Sequence, residues 1–307
     1  LGPDFWGGWF VQNIALIVNL TAGHGKCRAK YPEVVDYFKQ TNTETKSFFT
    51  QRKGHGEELA HQAVREGFDV VVSMGGDGTL NEVVNGLANS TTTLGFIPAG
   101  SGNDFGRTFG LTNGQVAKAC RVLTEGQVRT VDLCRANGRF FINVAGAGFD
   151  AEVGHMANVW GKRYFPGHGA YIASILRQLV AFSPREMAIE VDGRDVSTKA
   201  WMVAVANARY FGGGFMVAPT AVVDDGLLDV YIIKETSKMG LLRVLPRVMT
   251  GDHVSHPAVE FHRAKRVTLN SPHTLAVQAD GELIGKLPQA FSIAEHKLKV
   301  ILPKLGI

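Results

Sequence analysis

Over roughly the first 130 positions, short apolar runs alternate with stretches in which apolar residues recur at helical spacing. Ile14 to Asn19 reads as a strand, Thr21 to Gly25 as a turn, and about Tyr31 to Gln40 as a helix. Lys46 to Thr50 predicts a second strand, and Glu57 to Glu66 a helix stopped by Gly67. A third strand follows in the β-branched run Val70-Val71-Val72, which breaks into Gly75-Gly76-Asp77-Gly78-Thr79. Beyond the break, Leu80, Val83, Val84 and Leu87 fall at i, i+3, i+4 and i+7, one face of a helix. Thr79 and Glu82 have capping-box spacing, which predicts the helix start there. Leu94 to Ile97 is a fourth strand and Gln115 to Thr124 a further helix. Such repetition predicts a parallel sheet covered on both faces, with ligands at the carboxyl ends of its strands.

The texture changes after about Val128. Met187 to Val191, Trp201 to Ala206, Leu228 to Ile233, Arg266 to Leu269 and Thr274 to Gln278 are short and strand-like. Asp192-Gly193 and Asp280-Gly281 supply turn signals, and helices interrupt near Tyr171 to Ala181 and Met239 to Met249. The expected fold is an α/β amino-terminal domain with a mostly parallel sheet, followed by a mainly antiparallel β-sandwich. Their bounds are 13–127 and 128–295. Whether residues 296–307, with the Lys297 to Leu302 strand, return to the first domain stays open.

The 307 residues suffice for two cores, and 45% hydrophobic with 20% charged residues is ordinary for a folded domain. A net charge of +4 suits a phosphate ligand or an anionic lipid surface. No apolar stretch is long enough to cross a bilayer. Residues 1–12, with Trp6 and Trp9, lack a signal peptide's basic start and read as a partly artificial leader. Cys27, Cys120 and Cys134 are odd in number and lack metal spacing, so a reduced cytoplasmic setting is expected, with Cys27 a packed bystander. No helix shows a concentrated basic face, which argues against nucleic acid as a partner. The histidines form no H-E-x-x-H pattern and no G-x-S-x-G elbow is present, which disfavours zinc and α/β hydrolases.

The loop from Gly75 to Gly78 joins a strand end to a helix start, where N–H groups and the helix dipole favour anions. Glycine lets backbone approach phosphate closely, and Asp77 can hold magnesium against it. A hairpin at Asp77-Gly78 is the weaker reading, because no strand follows. Asn19 to Lys26 is glycine-rich after the first strand but is no Walker A loop, since Leu20 and Cys27 break the pattern. Pro98 to Arg107 brings a second carboxylate, Asp104, to the same sheet edge, although an Asn103-Asp104 helix cap explains it too. Asn143 to Asp150 resembles a dinucleotide fingerprint superficially and reads as a tight β turn. Asp224 to Asp229 is a charged turn whose oxygens also suit a hard cation. Ala279 to Glu282 is a turn, and a catalytic acid only if it folds over the first domain.

Together these segments resemble the diacylglycerol kinase catalytic family, specifically the bacterial soluble lipid kinases. Gly75-Gly76-Asp77-Gly78-Thr79 is similar to NAD kinases, sphingosine kinases and, in related form, phosphofructokinases. Asn81-Glu82 and Gly100 to Arg107 narrow it to the lipid branch. The resemblance implies two domains with the active site in the cleft between them. ATP would contact Asn19, Leu20, Thr21, Ala22, Gly23, Thr50, Gly75, Gly76, Asp77, Gly78, Thr79, Leu80, Asn81 and Ser101. It also implies a structural Mg²⁺ at Val222, Asp225 and Leu227, and Glu282 as proton acceptor. Asp77, with Asp104, is expected to hold catalytic Mg²⁺ directly or through water, and whether Asp77 or Glu282 is the base stays open. Leu20 stands where the family often has Pro, and Ser101-Gly102 where many members have Thr and a small residue. The expected reaction moves the γ-phosphoryl group of ATP to a lipid hydroxyl, diacylglycerol giving phosphatidic acid. A soluble NAD kinase and a non-catalytic nucleotide- or lipid-binding regulator are the alternatives. Trp160 to Phe165 and Tyr171 to Ala181 mix basic and aromatic residues suited to reversible peripheral membrane contact, and a homodimer stays open.

Overall fold

The computed structural model describes residues 13–112, 114–156 and 177–304. The leader at 1–12, Trp160 to Phe165 and the beginning of the Tyr171 to Ala181 helix lie outside the described residues; 177–181 are helical. Contacts divide the chain into two compact units, one from 1–100, 109–130 and 298–307, the other from 101–108 and 131–297.

The first unit is built on β1 (Asn13–Val18), β2 (Glu44–Phe49), β3 (Val70–Gly75), β4 (Thr93–Pro98), β5 (Gln127–Val131) and β18 (Leu298–Leu302). Their order is β2-β1-β3-β4-β18-β5, and the β1–β2, β1–β3, β3–β4 and β4–β18 pairs are parallel. Every residue of β3 and β4 is buried, as apolar runs covered on both faces require. On one face Val34 and Phe38 of α1 (Lys26–Gln40) and Val116 and Leu123 of α5 (Val116–Glu125) pack on Leu16, Val72 and Ile301. Helices α2 (His55–Arg65) and α3 (Asp77–Leu87) pack against each other and against β1 and β3. Helix α1 begins five residues earlier than expected, because Pro32 lies inside it rather than in its first turn. The carboxyl-terminal strand, left open by the sequence, joins the parallel sheet beside β4.

The second unit is antiparallel. Its strands are β6 (Cys134–Ala136), β7 (Arg139–Phe141), β8 (Val144–Gly148), β9 (Arg185–Val191), β10 (Arg194–Asp195), β11 (Thr198–Ala206), β12 (Leu228–Lys234), β13 (Val259–Ala264), β14 (Arg266–Asn270), β15 (Ala276–Ala279), β16 (Glu282–Lys286) and β17 (Gln289–Ile293). They run β16-β15-β8-β11-β9-β14-β17-β6-β7, with β12 also paired to β11 and to β13. Phe141, Met187, Val203, Val230, Leu269, Val277 and Phe291 meet in its core, the interior of a sandwich. Asp192-Gly193 and Asp280-Gly281 both have positive φ at the two central positions, the hairpin geometry their sequence suggests. Asn137-Gly138 makes a third such turn.

One expectation is corrected. Asn143 to Asp150 is not a tight turn: Val144–Gly148 form the buried strand β8 between β15 and β11, and α6 (Phe149–Met156) follows. Small residues are needed there because a Cβ at Gly146 would lie 2.6 Å from the Val203 carbonyl oxygen. Helix α7 (Lys238–Val248) is capped by the Ser237 hydroxyl. It carries Lys238, Arg243 and Arg247, no acid, and an exposed Met239.

Candidate active site

In the first unit the sheet order reverses between β1 and β3, the topological switch point where loops from neighbouring strands part and ligands bind. The loops leaving those strands meet there. Asn19 Nδ2 donates to Thr79 Oγ1 at 3.0 Å, and Asn19 Oδ1 accepts the Thr21 N–H and hydroxyl. The Asn19 N–H donates to the Met74 carbonyl, and the Thr50 N–H to that of Val18. Gly23 adopts φ 61°, and a Cβ on it would sit 2.5 Å from the Ala99 carbonyl oxygen. A Cβ on Gly76 would reach Gly100 Cα at 3.1 Å. Residues Asn19 to Gly23, Thr50 and Gly75 to Asn81 therefore share one edge of one sheet, ordered by close backbone approach.

The helix start differs from the capping-box expectation. Helix α3 begins at Asp77, two residues before Thr79, and its N-cap Gly76 has no side-chain partner. The first-turn N–H groups thus face the glycine loop without a capping side chain, and half-buried Asp77 stands among them. Thr79 turns to Asn19. Glu82 caps a different helix: its carboxylate accepts the N–H groups of Gly54 at 2.7 Å and Gly56 at 2.9 Å, at the start of α2. Glu82→Ala leaves both donors unmatched. The expected loss is ~1–3 kcal/mol of stability, read as a lower thermal midpoint.

Ser101 and Asp104 belong to the second unit. Asp104 is buried at the start of α4 (Asp104–Thr108), and its Oδ2 accepts the Gly213 N–H at 2.8 Å. Arg107 donates to the Gly102 carbonyl and lies 5.9 Å from the Tyr210 ring centroid. Ser101 is exposed.

The 222–227 turn is pinned by a residue the sequence reading passed over, Asp132. Its Oδ2 accepts the Gly226 N–H at 2.7 Å, its Oδ1 pairs with Lys297 at 2.8 Å, and its own N–H donates to Val223. Buried Asn207 donates to the Asp132 and Ile142 carbonyls. The available signal was a polar residue inside each apolar run, Val131-Asp132-Leu133 and Ala206-Asn207-Ala208. Asp225 accepts the Leu227 N–H on Oδ1 and Arg263 on Oδ2, while Arg263 Nε also holds Asp229. These carboxylates raise the Arg263 pKa, through the Asp229 hydrogen bond first. Among the described residues no three His, Cys, Asp or Glu side chains form a metal cage, so an ion in this turn would rely on main-chain oxygens.

Glu282 opens β16 directly after the Asp280-Gly281 turn. Asp280 holds that turn in place: its carboxylate accepts the N–H groups of Ile142, Asn143 and Val144, each at 3.0 Å. The Gly281 N–H donates to Gln278 Oε1. Cys27, Cys120 and Cys134 are free and buried, and burial pushes the Cys27 thiol up to about 11, which makes it a packing group rather than a nucleophile.

Residues 13–136 match the model of the diacylglycerol kinase catalytic domain, and 143–302 that of the YegS C-terminal NAD kinase beta sandwich-like domain. The chain is 32% identical over 297 residues to a diacylglycerol kinase of Bacillus subtilis (strain 168), covering 96% of this chain and 97% of the relative. It is 31% identical over 291 residues to a diacylglycerol kinase of Staphylococcus carnosus (strain TM300), covering 94% of each. The fold resembles a crystal structure of a diacylglycerol kinase from Bacillus anthracis str. Sterne, with a TM-score of 0.75 and 23% identity over 96% of this chain and 98% of that one.

Proposed function

Because the chain belongs to the diacylglycerol kinase family, we propose that it transfers the γ-phosphoryl group of ATP to the hydroxyl of diacylglycerol, yielding phosphatidic acid. The observation carrying this reading is the Asn19–Thr79 bridge at the β1/β3 switch point, which brings two glycine loops and an uncapped helix start together. Loop N–H groups donate to phosphate oxygens, and glycine at 23 and 76 lets the loops close on the backbone of Ala99 and Gly100. Transfer of this kind has a loose transition state, so holding the groups in line and neutralising charge do most of the work. Glu282 orients the acceptor hydroxyl and takes its proton as the oxygen–phosphorus bond forms.

The donors fit a hard divalent ion. Asp77 and Asp104 would hold catalytic Mg²⁺, and Asp225 with the Val222 and Leu227 carbonyls a structural one, with Arg263 sharing the Asp225 carboxylate. Bound Mg²⁺ supplies charge neutralisation on phosphate oxygens. Reaching a lipid requires contact with a membrane surface. Helix α7 supports this with Lys238, Arg243 and Arg247 beside exposed Met239 and Met249, a basic amphipathic pattern. No helix among the described residues is long and apolar enough to cross a membrane.

The test is incubation of purified protein with labelled ATP, Mg²⁺ and, separately, diacylglycerol micelles, other lipid alcohols and NAD. Labelled phosphatidic acid is the expected product. Label on NAD would give the protein to the soluble-kinase reading, and nucleotide binding without any product would make it a regulator.

A further inference from the structure

Gln278 carries a buried amide whose two ends face different parts of the second unit. Its Nε2 donates to Asp150 Oδ2 at 3.1 Å, and its Oε1 accepts the Gly281 N–H at 2.9 Å. An ionised carboxylate only accepts and a main-chain N–H only donates, so these partners fix which end of the amide points where. Asp150 is itself buried in the first turn of α6, whose Phe149 and Val153 pack with Trp201. Gln278 pairs across the sheet with Gly146, and a Cβ on Gly146 would lie 2.8 Å from Asp150 Oδ2. Glycine at 146 thus leaves the space that the carboxylate occupies beside the amide.

The bond to Gly281 is not one the hairpin needs. A two-residue turn closes on the N–H of its fourth residue, here Glu282, and leaves the N–H of its third unused. The ladder beside the turn is also irregular: Val277 pairs with Gly285 but Gln278 with Leu283, so β16 carries Ile284 as an extra residue. A bulge of this kind bends and twists the strand that bears it. Main-chain pairing alone therefore leaves the direction in which Glu282 departs from the turn loosely set. Asp280 ties one central residue of the turn to 142–144. Gln278 ties the other, through Asp150, to α6.

We propose that Gln278 is a positioning residue for the phosphoryl transfer: anchored by Asp150, it holds the Asp280–Gly281 peptide so that the Glu282 carboxylate meets the acceptor hydroxyl. The assignment rests on Glu282 being the base and adds how that base is aimed. A misplacement of about 1 Å costs on the order of 10²-fold in rate. Loss of the clamp therefore lowers turnover while the binding of either substrate stays as it was.

The experiment is steady-state kinetics with ATP and dioctanoylglycerol in mixed micelles at pH 8, where Asp150, pushed up to about 6 mainly by burial, is ionised. Gln278→Met keeps the bulk and removes both hydrogen bonds. Its kcat should fall at least tenfold, with KM for ATP and for the lipid within twofold of the wild type. If it fails to fold, Gln278→Asn, one methylene too short to reach both partners, replaces it. Gln278→Glu sets two carboxylates against each other and should lose as much. Asp150→Asn combined with Gln278→Glu exchanges donor and acceptor, restores both bonds and should bring kcat back to within threefold of the wild type. In a Glu282→Gln background Gln278→Met should lower kcat no further, because changes that act through one group do not add. Folded Gln278→Met with wild-type kcat, an exchanged pair no better than Gln278→Glu, or an undiminished loss in the Glu282→Gln background would overturn the assignment. Normal turnover in Glu282→Gln alone would instead remove Glu282 as the base. In that case, or should the wild type phosphorylate no lipid, hydrogen exchange at the Gly281 amide judges the clamp. Exchange at least tenfold faster in Gln278→Met supports it, and unchanged exchange refutes it.

Discussion

Asp77→Ala is expected to lower turnover by ~10³-fold or more while leaving the thermal midpoint within a few degrees of the wild type. Both halves follow from its position. Asp77 is half-buried in the first turn of α3, next to a glycine N-cap with no side-chain partner. The helix dipole contributes ~0.3–1 kcal/mol to a carboxylate at this position, and a half-buried side chain at the sheet edge takes little of the core with it. The Asn19–Thr79 bridge and the close approach of Gly76 to Gly100 do not involve its side chain and persist. What disappears is the charge proposed to hold a divalent ion against phosphate. Nucleotide affinity measured without Mg²⁺ should change little, while Mg²⁺-supported affinity and turnover should fall together. Near-normal phosphotransfer in this variant would remove the glycine loop from the mechanism.

Asp280→Ala should act through folding instead. Three backbone N–H groups, those of Ile142, Asn143 and Val144, converge on the Asp280 carboxylate, which is only 8% exposed. Alanine leaves them without an acceptor at a cost of ~1–3 kcal/mol each, reduced where water enters, so a total of several kcal/mol is expected. The same carboxylate fixes the left-handed turn from which Glu282 emerges, and activity should drop with stability. Glu282→Gln provides the contrast. It keeps size and burial, so the thermal midpoint should hold while turnover falls by ~10²–10⁴-fold, the usual contribution of a positioned base. Urea titration of both variants beside their rates separates the two effects. Equal midpoints for wild type and Asp280→Ala would refute the clamp.

The contrast between these residues marks how far sequence alone reaches. The strand–glycine–helix passage at Val70 to Leu87 was legible because period and turn chemistry are local: β-branched residues, then glycines, then spacing of 3.6. The Asp192-Gly193 and Asp280-Gly281 hairpins were legible for the same reason, since their left-handed backbone is a property of the residues themselves. The Thr79–Glu82 spacing misled because it is equally compatible with a local cap and with two separate partners. Only packing of α3 against α2 and β1 turned Glu82 to Gly54 and Gly56, and Thr79 to Asn19. Likewise Pro32 carries a local preference for helix starts that the sheet-facing pattern of α1 overrode.

By itself the sequence determined the two kinds of sheet, the positions of the glycine loops and the candidate acids, all consequences of residue chemistry over a few neighbouring positions. Tertiary structure alone decided that β18 joins the first sheet and that Asp132 and Asp280 clamp distant backbone. Those outcomes depend on partners up to 206 positions apart, as between Leu94 and Val300. Chain segments that remote are brought together by burial of whole faces, and no local pattern records which polar group each face will meet.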